Sequence, residues 1–268
     1  MSIDESIISI IKNKLINELK SNNDLYDEND ITYTLDNEWS IRRYLLFHKL
    51  DVDKSFVAIK DSLQWRKSYG IKQRTDVDYP IEFYQIGAYF PYCVDRNGRT
   101  VIYVRAKMYK YFPHINDFMK QYIVHVIDKI DKLSQESGWT MVWDLVGAGP
   151  SNWDLSFLKF IISTLRNYYP LGMQYLLAYG VHPLMSGFVK IGLKLVPQDA
   201  RNRIKFVSKD ELLTYIAPEN LPDFMGGTST VSYKDVPLGT QSALEFGLEK
   251  GIQSKDIEKA LDFYNKFL

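Results

Sequence analysis

The sequence holds a single cysteine, Cys93, in 268 residues. That excludes a disulfide framework and a cysteine-based zinc site. Histidine is also scarce. His48, His114, His125 and His182 are scattered, with no pair at metal-ligand spacing. Charge of one sign is not in excess: Lys+Arg and Asp+Glu each number 33. Nothing in that balance draws the chain to nucleic acid. No apolar run of about 18 residues occurs, so no membrane-spanning helix is expected. The N-terminus carries Asp4 and Glu5 and no basic stretch, which argues against a secretory signal. Together these absences predict a reducing, cytosolic compartment.

What is present is ordinary for a globular protein: 46% hydrophobic, 25% charged and 14% aromatic residues. A chain of this length buries a sizeable core. The 19 tyrosines and 14 phenylalanines serve such a core and an amphipathic surface. An apolar cavity would need the same residues.

The chain opens acidic. Residues 1–40 hold nine Asp/Glu against three Lys. Ile8, Ile11, Leu15 and Leu19 recur at helical spacing and predict a short amphipathic helix. The polar segment 21–30 reads as a loop. Asp36-Asn37-Glu38 offers an N-cap to a helix from Trp39, and Asp51 caps another that Gly70 ends. Residues 1–75 therefore read as a helical N-terminal module. From residue 80 the pattern alternates. Tyr89–Val94 and Thr100–Ala106 are strand-like, joined by an Asn97-Gly98 turn that argues for an antiparallel hairpin. A long amphipathic helix spans 115–133. Strands at 139–146, 173–181 and 203–207 alternate with helices at 155–168, 183–196 and 211–216. This order predicts an α/β domain over 80–230, with a mostly parallel sheet and helices packed on it. Residues 231–268 form a C-terminal extension with one helix at 254–267.

Catalytic patterns are lacking. Val146-Gly147-Ala148-Gly149-Pro150-Ser151 opens like a phosphate loop but lacks the Gly-Lys-Ser/Thr ending, and Pro150 removes an N–H donor. A strand-to-helix turn is the better reading. Asp144 stands near a strand C-terminus with no evident partner. A carboxylate accepting N–H bonds from the next turn explains it better than catalysis. No enzyme activity and no cofactor or metal are expected.

One helix is unusual. Pro183–Val196 carries Leu184, Met185, Phe188, Val189, Ile191, Leu193, Leu195 and Val196 around most of its circumference. Such a helix is buried on both sides or meets something other than water. A plain core helix would also account for it. Gly187 and Gly192 each cost about 1 kcal/mol of helix stability, which suits an element that moves or closely approaches another backbone. Between 182 and 209, Lys190, Lys194, Arg201, Arg203, Lys205 and Lys209 stand against one acid, Asp199. An apolar helix bordered by positive charge fits an anionic membrane surface, and a solvated basic face is the alternative.

Several segments then fall into a known order: Ile41-Arg42-Arg43-Tyr44-Leu45-Leu46, Trp65-Arg66, Asp95-Arg96-Asn97-Gly98-Arg99, Val142-Trp143-Asp144-Leu145, Asn167-Tyr168-Tyr169-Pro170, Arg203-Ile204, Leu221-Pro222 and Gly226-Gly227-Thr228. In that order the chain resembles the CRAL-TRIO (Sec14-like) lipid-binding domains over about 35–228. Leu184-Met185, Lys190-Ile191, Phe206, Ser208-Lys209 and Met225-Gly226-Gly227-Thr228 look most like the motile sperm domain-containing protein 2 subgroup. The further domain and membrane anchor of that subgroup are not carried over.

The resemblance implies a sheet floor, helical walls and an apolar pocket for one lipid, closed by Pro183–Val196 as a gate. It implies a peripheral, cytoplasmic protein, monomeric, that transfers or senses lipid at an anionic membrane. A protein-interaction module of the same fold, for example acting on small GTPases, is the alternative. Met141 and Trp143 would form the pocket floor and Phe160, Ile161 and Leu177 its walls. Leu184, Phe188, Ile191 and Leu195 would come from the gate. A cavity of about 300 Å³ or more is expected beneath 183–196. Lys49, Lys190, Lys194, Arg201, Arg203 and Lys205 would meet the headgroup or membrane. Leu171 and Ala200 stand where phosphatidylinositol-binding members carry a Glu and a Thr. Neither can hydrogen-bond an inositol hydroxyl through its side chain, which argues against phosphatidylinositol in the usual pose.

Overall fold

Acidic side chains start most of the helices in the first 70 residues. The structure, a computed structural model, describes residues 3–183 and 186–268. Helix α1 is Glu5–Asn22, α2 Glu28–Asp36, α3 Trp39–Phe47 and α4 Val52–Tyr69. Asp4, Asp27 and Asp51 accept N–H bonds at the starts of α1, α2 and α4. These caps satisfy amides that have no partner within the helix. At α3 the N-cap residue Glu38 makes no side-chain cap bond, and Asn37, one residue earlier, accepts the Ser40 N–H through Oδ1 at 3.3 Å. Gly70, at φ 73°, ends α4 in the left-handed conformation expected of a glycine stop. Helix α2 corrects the expected loop over 21–30: Asp27 caps a helix from Glu28 whose apolar face is short but buried at Ile31.

Two compact units result: Met1–Arg74 with Ser163–Gly172, and Thr75–Ile162 with Met173–Leu268. The first is a helical bundle packed around Ile11, Ile41, Leu45, Ile59 and Leu63. It includes 163–172 because Trp65 stacks on Tyr168 at 3.8 Å between ring centres. In addition, Arg43 Nε donates to the Pro170 carbonyl at 2.7 Å. The domain division expected from sequence stopped the module at residue 75 and set 231–268 apart. In the structure 231–268 falls within the second unit.

The second unit is a five-stranded sheet in the order β1-β2-β3-β4-β5. Its strands are β1 Tyr89–Val94, β2 Thr100–Arg105, β3 Trp139–Asp144, β4 Met173–Tyr179 and β5 Ile204–Val207. The hairpin β1/β2 is antiparallel and the other pairings are parallel. Asp95 fixes the hairpin turn by accepting the Asn97 and Arg99 N–H groups and the Thr140 hydroxyl. The helices are α5 Ile81–Gln85, α6 Asn116–Ser134, α7 Leu155–Tyr168, α8 Ser186–Leu195, α9 Gln198–Arg201, α10 Lys209–Tyr215, α11 Ala243–Glu249 and α12 Ser254–Tyr264.

Period-two alternation gives the sheet two faces. On one, Val101, Tyr103, Val142, Leu177 and Val207 pack with Leu212, Ile216, Leu221 and Met225. Gly227 closes that layer, because a Cβ there would lie 1.9 Å from the Leu221 carbonyl oxygen. On the other face, β-pairing aligns Tyr89 with Val104, Val104 with Trp143 and Ile102 with Met141. Helix α6 covers this second face. Its Asp131 accepts the Trp139 indole N–H at 3.3 Å.

Candidate functional site

Between the second sheet face and its helices lies a cavity of about 120 Å³. Val104 and Trp143 supply the sheet side, with Tyr89 from β1. Met119, Tyr122 and Ile123 of α6 and Phe157 and Leu158 of α7 form the walls. Trp153, just before α7, and Tyr264, at the end of α12, complete it. This volume is smaller than the 300 Å³ expected from sequence and below the usual range for ligand sites. A whole lipid therefore needs the surrounding helices to give way.

The polar groups of the wall are few. Asp154 accepts the Tyr109 hydroxyl at 2.9 Å and the Ser156 and Phe157 N–H groups. Burial alone would raise its carboxyl, but the Phe157 amide, the Tyr109 hydroxyl and the Ser156 amide outweigh it and hold it below its ordinary value. Asn152 Nδ2 donates to the Lys107 and Tyr109 carbonyls, tying this loop down. Tyr89 is 6% exposed, and burial pushes its phenol well above the ordinary value. The Tyr89 hydroxyl and the Trp153 indole N–H are buried without a partner among the described residues. No lysine lines the cavity. Its one arginine, Arg105, holds its guanidinium 3.9 Å from the centre of the Phe224 ring, which belongs to the cluster on the opposite sheet face. The wall thus offers neutral donors, one carboxylate and a single cation, Arg105, whose Nε is also buried without a hydrogen-bond partner among the described residues.

Helix α8 stands beside this wall. Phe188 stacks on Trp153 with ring centres 5.7 Å apart. A Cβ on Gly192 would lie 3.3 Å from Leu158 Cδ2, so the glycine permits the close approach of α8 to α7. Ile191 is 44% exposed and Gly192 buried, so one side of the helix faces inward and the other outward.

The site residues expected from sequence separate into groups. Trp143 lines the cavity, and Met141 lies buried on the same sheet face. Phe188 reaches the cavity through Trp153. Leu177 does not join: it packs in the cluster on the opposite face. Phe160 and Ile161 are half-buried on α7 but outside the lining, which uses Phe157 and Leu158 one turn earlier. Ile191 and Leu195 do not line it either, and Leu184 lies outside the described residues. Of the basic set, Lys49, Lys190, Lys194 and Arg201 are exposed. Arg203 donates to the Met173 carbonyl at 2.6 Å, a bond that anchors the chain entering β5. Lys205 pairs in register with Leu177, on the face away from the cavity.

Sequence reasoning missed Tyr89, Trp153 and Tyr264. The first two had a signal: an aromatic at the start of a strand and another just before a helix. Tyr264 had none, because nothing in the sequence ties the last helix to the sheet. Asp144 accepts the Val146 N–H at 3.1 Å, the turn-stabilising role expected of it. Among the described residues there is no group of three His, Cys, Asp or Glu that could hold a metal, and no helix is long and apolar enough to cross a membrane.

Comparison with known proteins adds the following. A model of the CRAL/TRIO domain family matches residues 84–227. The phosphatidylinositol/phosphatidylcholine transfer protein SFH11 of Arabidopsis thaliana is 26% identical over 223 residues, covering 72% of this chain and 57% of the relative. The phosphatidylinositol transfer protein CSR1 of Eremothecium gossypii is 23% identical over 218 residues, covering 75% of this chain and 49% of the relative. The chain thus spans about half the length of these relatives. A solved structure titled "Crystal structure of Sfh5" superposes with a TM-score of 0.64 at 16% identity, covering 97% of this chain and 100% of that one. That likeness shows the fold.

Proposed function

The chain belongs to the CRAL/TRIO domain family, and on that premise we propose that it binds one lipid in the cavity of the second unit and transfers or senses it at membranes. The observation that carries the reading is the apolar cavity enclosed by Trp143, α6, α7 and Tyr264. Ligand sites are concave and mostly apolar, with a few placed polar groups, and this wall has that composition. The names of two relatives, both transfer proteins for phosphatidylinositol lipids, support the same class.

Helix α8 is the gate in this reading. It reaches the cavity wall through Phe188 on Trp153, and Gly192 lets it lie close to α7. Releasing those two contacts enlarges the cavity on the side where a lipid must enter. The protein acts without covalent chemistry, as a peripheral lipid carrier of the cytoplasm. The single cation of its wall, Arg105, is turned onto the Phe224 ring, and Leu171 and Ala200 lack the carboxylate and hydroxyl that an inositol ring would use. The buried part of the ligand is therefore uncharged, and phosphatidylinositol in the usual pose is disfavoured. The narrower likeness to the motile sperm domain-containing protein 2 subgroup is not supported by the relatives described.

Native mass spectrometry of the protein as purified tests the reading. One lipid per chain is expected, exchangeable with vesicles. A chain that carries no lipid and takes none from mixed vesicles would instead support an interaction module of this fold.

A further inference from the structure

A second, smaller cavity of about 40 Å³ lies beneath the C-terminal helices. Its walls are apolar: Ile115 and Phe118 at the start of α6, Phe246 of α11, and Ile257, Ala260 and Leu261 of α12. Residues 231–268, which supply two of these helices, fall outside the family match at 84–227. They are nevertheless firmly attached. The Ile81 N–H donates to the Gln241 carbonyl at 2.9 Å, and the Ala243 N–H donates to Glu82 Oε2 at 2.7 Å. Phe118 and Phe246 meet edge-on at 5.1 Å, and α12 buries Ile257, Ala260 and Tyr264.

Phe83, Ile86 and Tyr264 line both this cavity and the larger one. They form the partition between the two. Phe83 and Ile86 sit at α5, held by the bonds just given. Tyr264 is the last residue of the last α-helix, and its hydroxyl donates to the Met119 thioether at 3.8 Å, a weak acceptor. Its ring also meets Phe112 and Phe263, with centres 6.0 and 5.0 Å apart, so turning it exchanges these contacts at the end of the chain's last α-helix for others. Turning it would remove one of the three side chains that separate the two cavities. Water gains little in such a space, whereas a hydrocarbon chain gains a dry, matched wall.

We propose that the second cavity is the distal subsite for the hydrocarbon chain of the bound ligand, with Tyr264 as a partition that yields to chains long enough to reach it. The C-terminal helices then set the preferred chain length. This rests on the lipid-binding reading above and adds to it a site and its ligand class, an alkyl or acyl chain.

The test uses the full chain and the fluorescent fatty acid cis-parinaric acid, displaced by saturated fatty acids of increasing length. Two variants are compared with the parent: Leu261→Trp, which fills the second cavity, and Tyr264→Ala, which removes the partition. Thermal unfolding of each shows that it is folded. In the parent, affinity is expected to climb with length. In Leu261→Trp the climb stops at a shorter chain, losing roughly fourfold per excluded methylene, the transfer free energy of a methylene expressed as a binding ratio. In Tyr264→Ala the longest chains gain. Should one variant fail to fold, the other still shifts the profile in its own direction. The same length profile in the parent and in every folded variant overturns the subsite while leaving lipid binding intact. No saturable probe binding by the parent overturns lipid binding, and the subsite with it.

Discussion

Asp30 is 2% exposed and meets the Arg66 guanidinium through two contacts of 2.9 Å, Nε to Oδ2 and Nη2 to Oδ1. A two-pronged pair of this kind has the geometry that favours arginine over lysine. Asp30 is on α2 and Arg66 on α4, so the pair fastens the helix that follows the acidic segment. Replacing one partner leaves the other charged and buried. Asp30→Ala is therefore expected to cost about 3–5 kcal/mol of stability, read as a lowered midpoint in urea unfolding with an unchanged slope. A loss below about 1 kcal/mol would mean that water reaches Arg66 without cost. This residue also shows why the segment 21–30 reads as a loop. Its composition is that of a solvated stretch, and distant partners, Arg66 above all and Lys72 at 3.9 Å, compensate the burial of Asp30. Composition contains no statement about a partner 36 residues away.

At the scale of elements, the strands and the long helices were legible because their periodicities are strong. The hairpin, β3, β4 and α6 lie where the pattern puts them. What was not legible is which face of a doubly buried strand meets the cavity. The run Tyr175-Leu176-Leu177-Ala178-Tyr179 is apolar throughout, as strands covered on both faces are. Its register with β3 also shifts between Trp139 and Thr140. Leu177 was thus placed on the wrong side by a sequence that does not alternate. Helix α8 is a different case. Its all-round apolar character and two glycines were visible, and the structure gives Gly192 a purpose against Leu158. Its inner face depends on Phe188 packed on Trp153. Phe188→Asp puts a carboxylate against that indole, which costs more than the roughly 1.5–3 kcal/mol of lost apolar burial. Loss of lipid transfer between vesicles is expected, with the fold retained in far-ultraviolet circular dichroism. Normal transfer by Phe188→Asp would remove α8 from the exchange step.

The whole molecule carries 33 basic and 33 acidic residues, so no overall field draws it to a membrane. Any attraction must be local. Sequence alone offered six basic residues for this role, and geometry thins them. Arg203 is bound to the Met173 carbonyl, and Lys205 lies on the sheet face away from the cavity. Lys49 after α3, Lys190 and Lys194 on α8, and Arg201 on α9, whose Nε donates to the Val196 carbonyl, remain exposed. Near an anionic surface each contributes on the order of 1 kcal/mol, a term that salt screens over about 8 Å at physiological ionic strength. In the proposed exchange, opening α8 would add the burial of its apolar face in the interface, which salt does not screen. Binding to anionic vesicles should therefore weaken with salt without vanishing, and binding to neutral vesicles should be weak and insensitive to salt. In a co-sedimentation assay the double variant Lys190→Glu, Lys194→Glu is expected to lose the salt-sensitive part only. It should unfold at the same temperature as the parent, since exposed charge changes cost within about ±0.5 kcal/mol. Equal binding of variant and parent to anionic vesicles at low salt would show that the apolar face of α8 docks without help from its lysines.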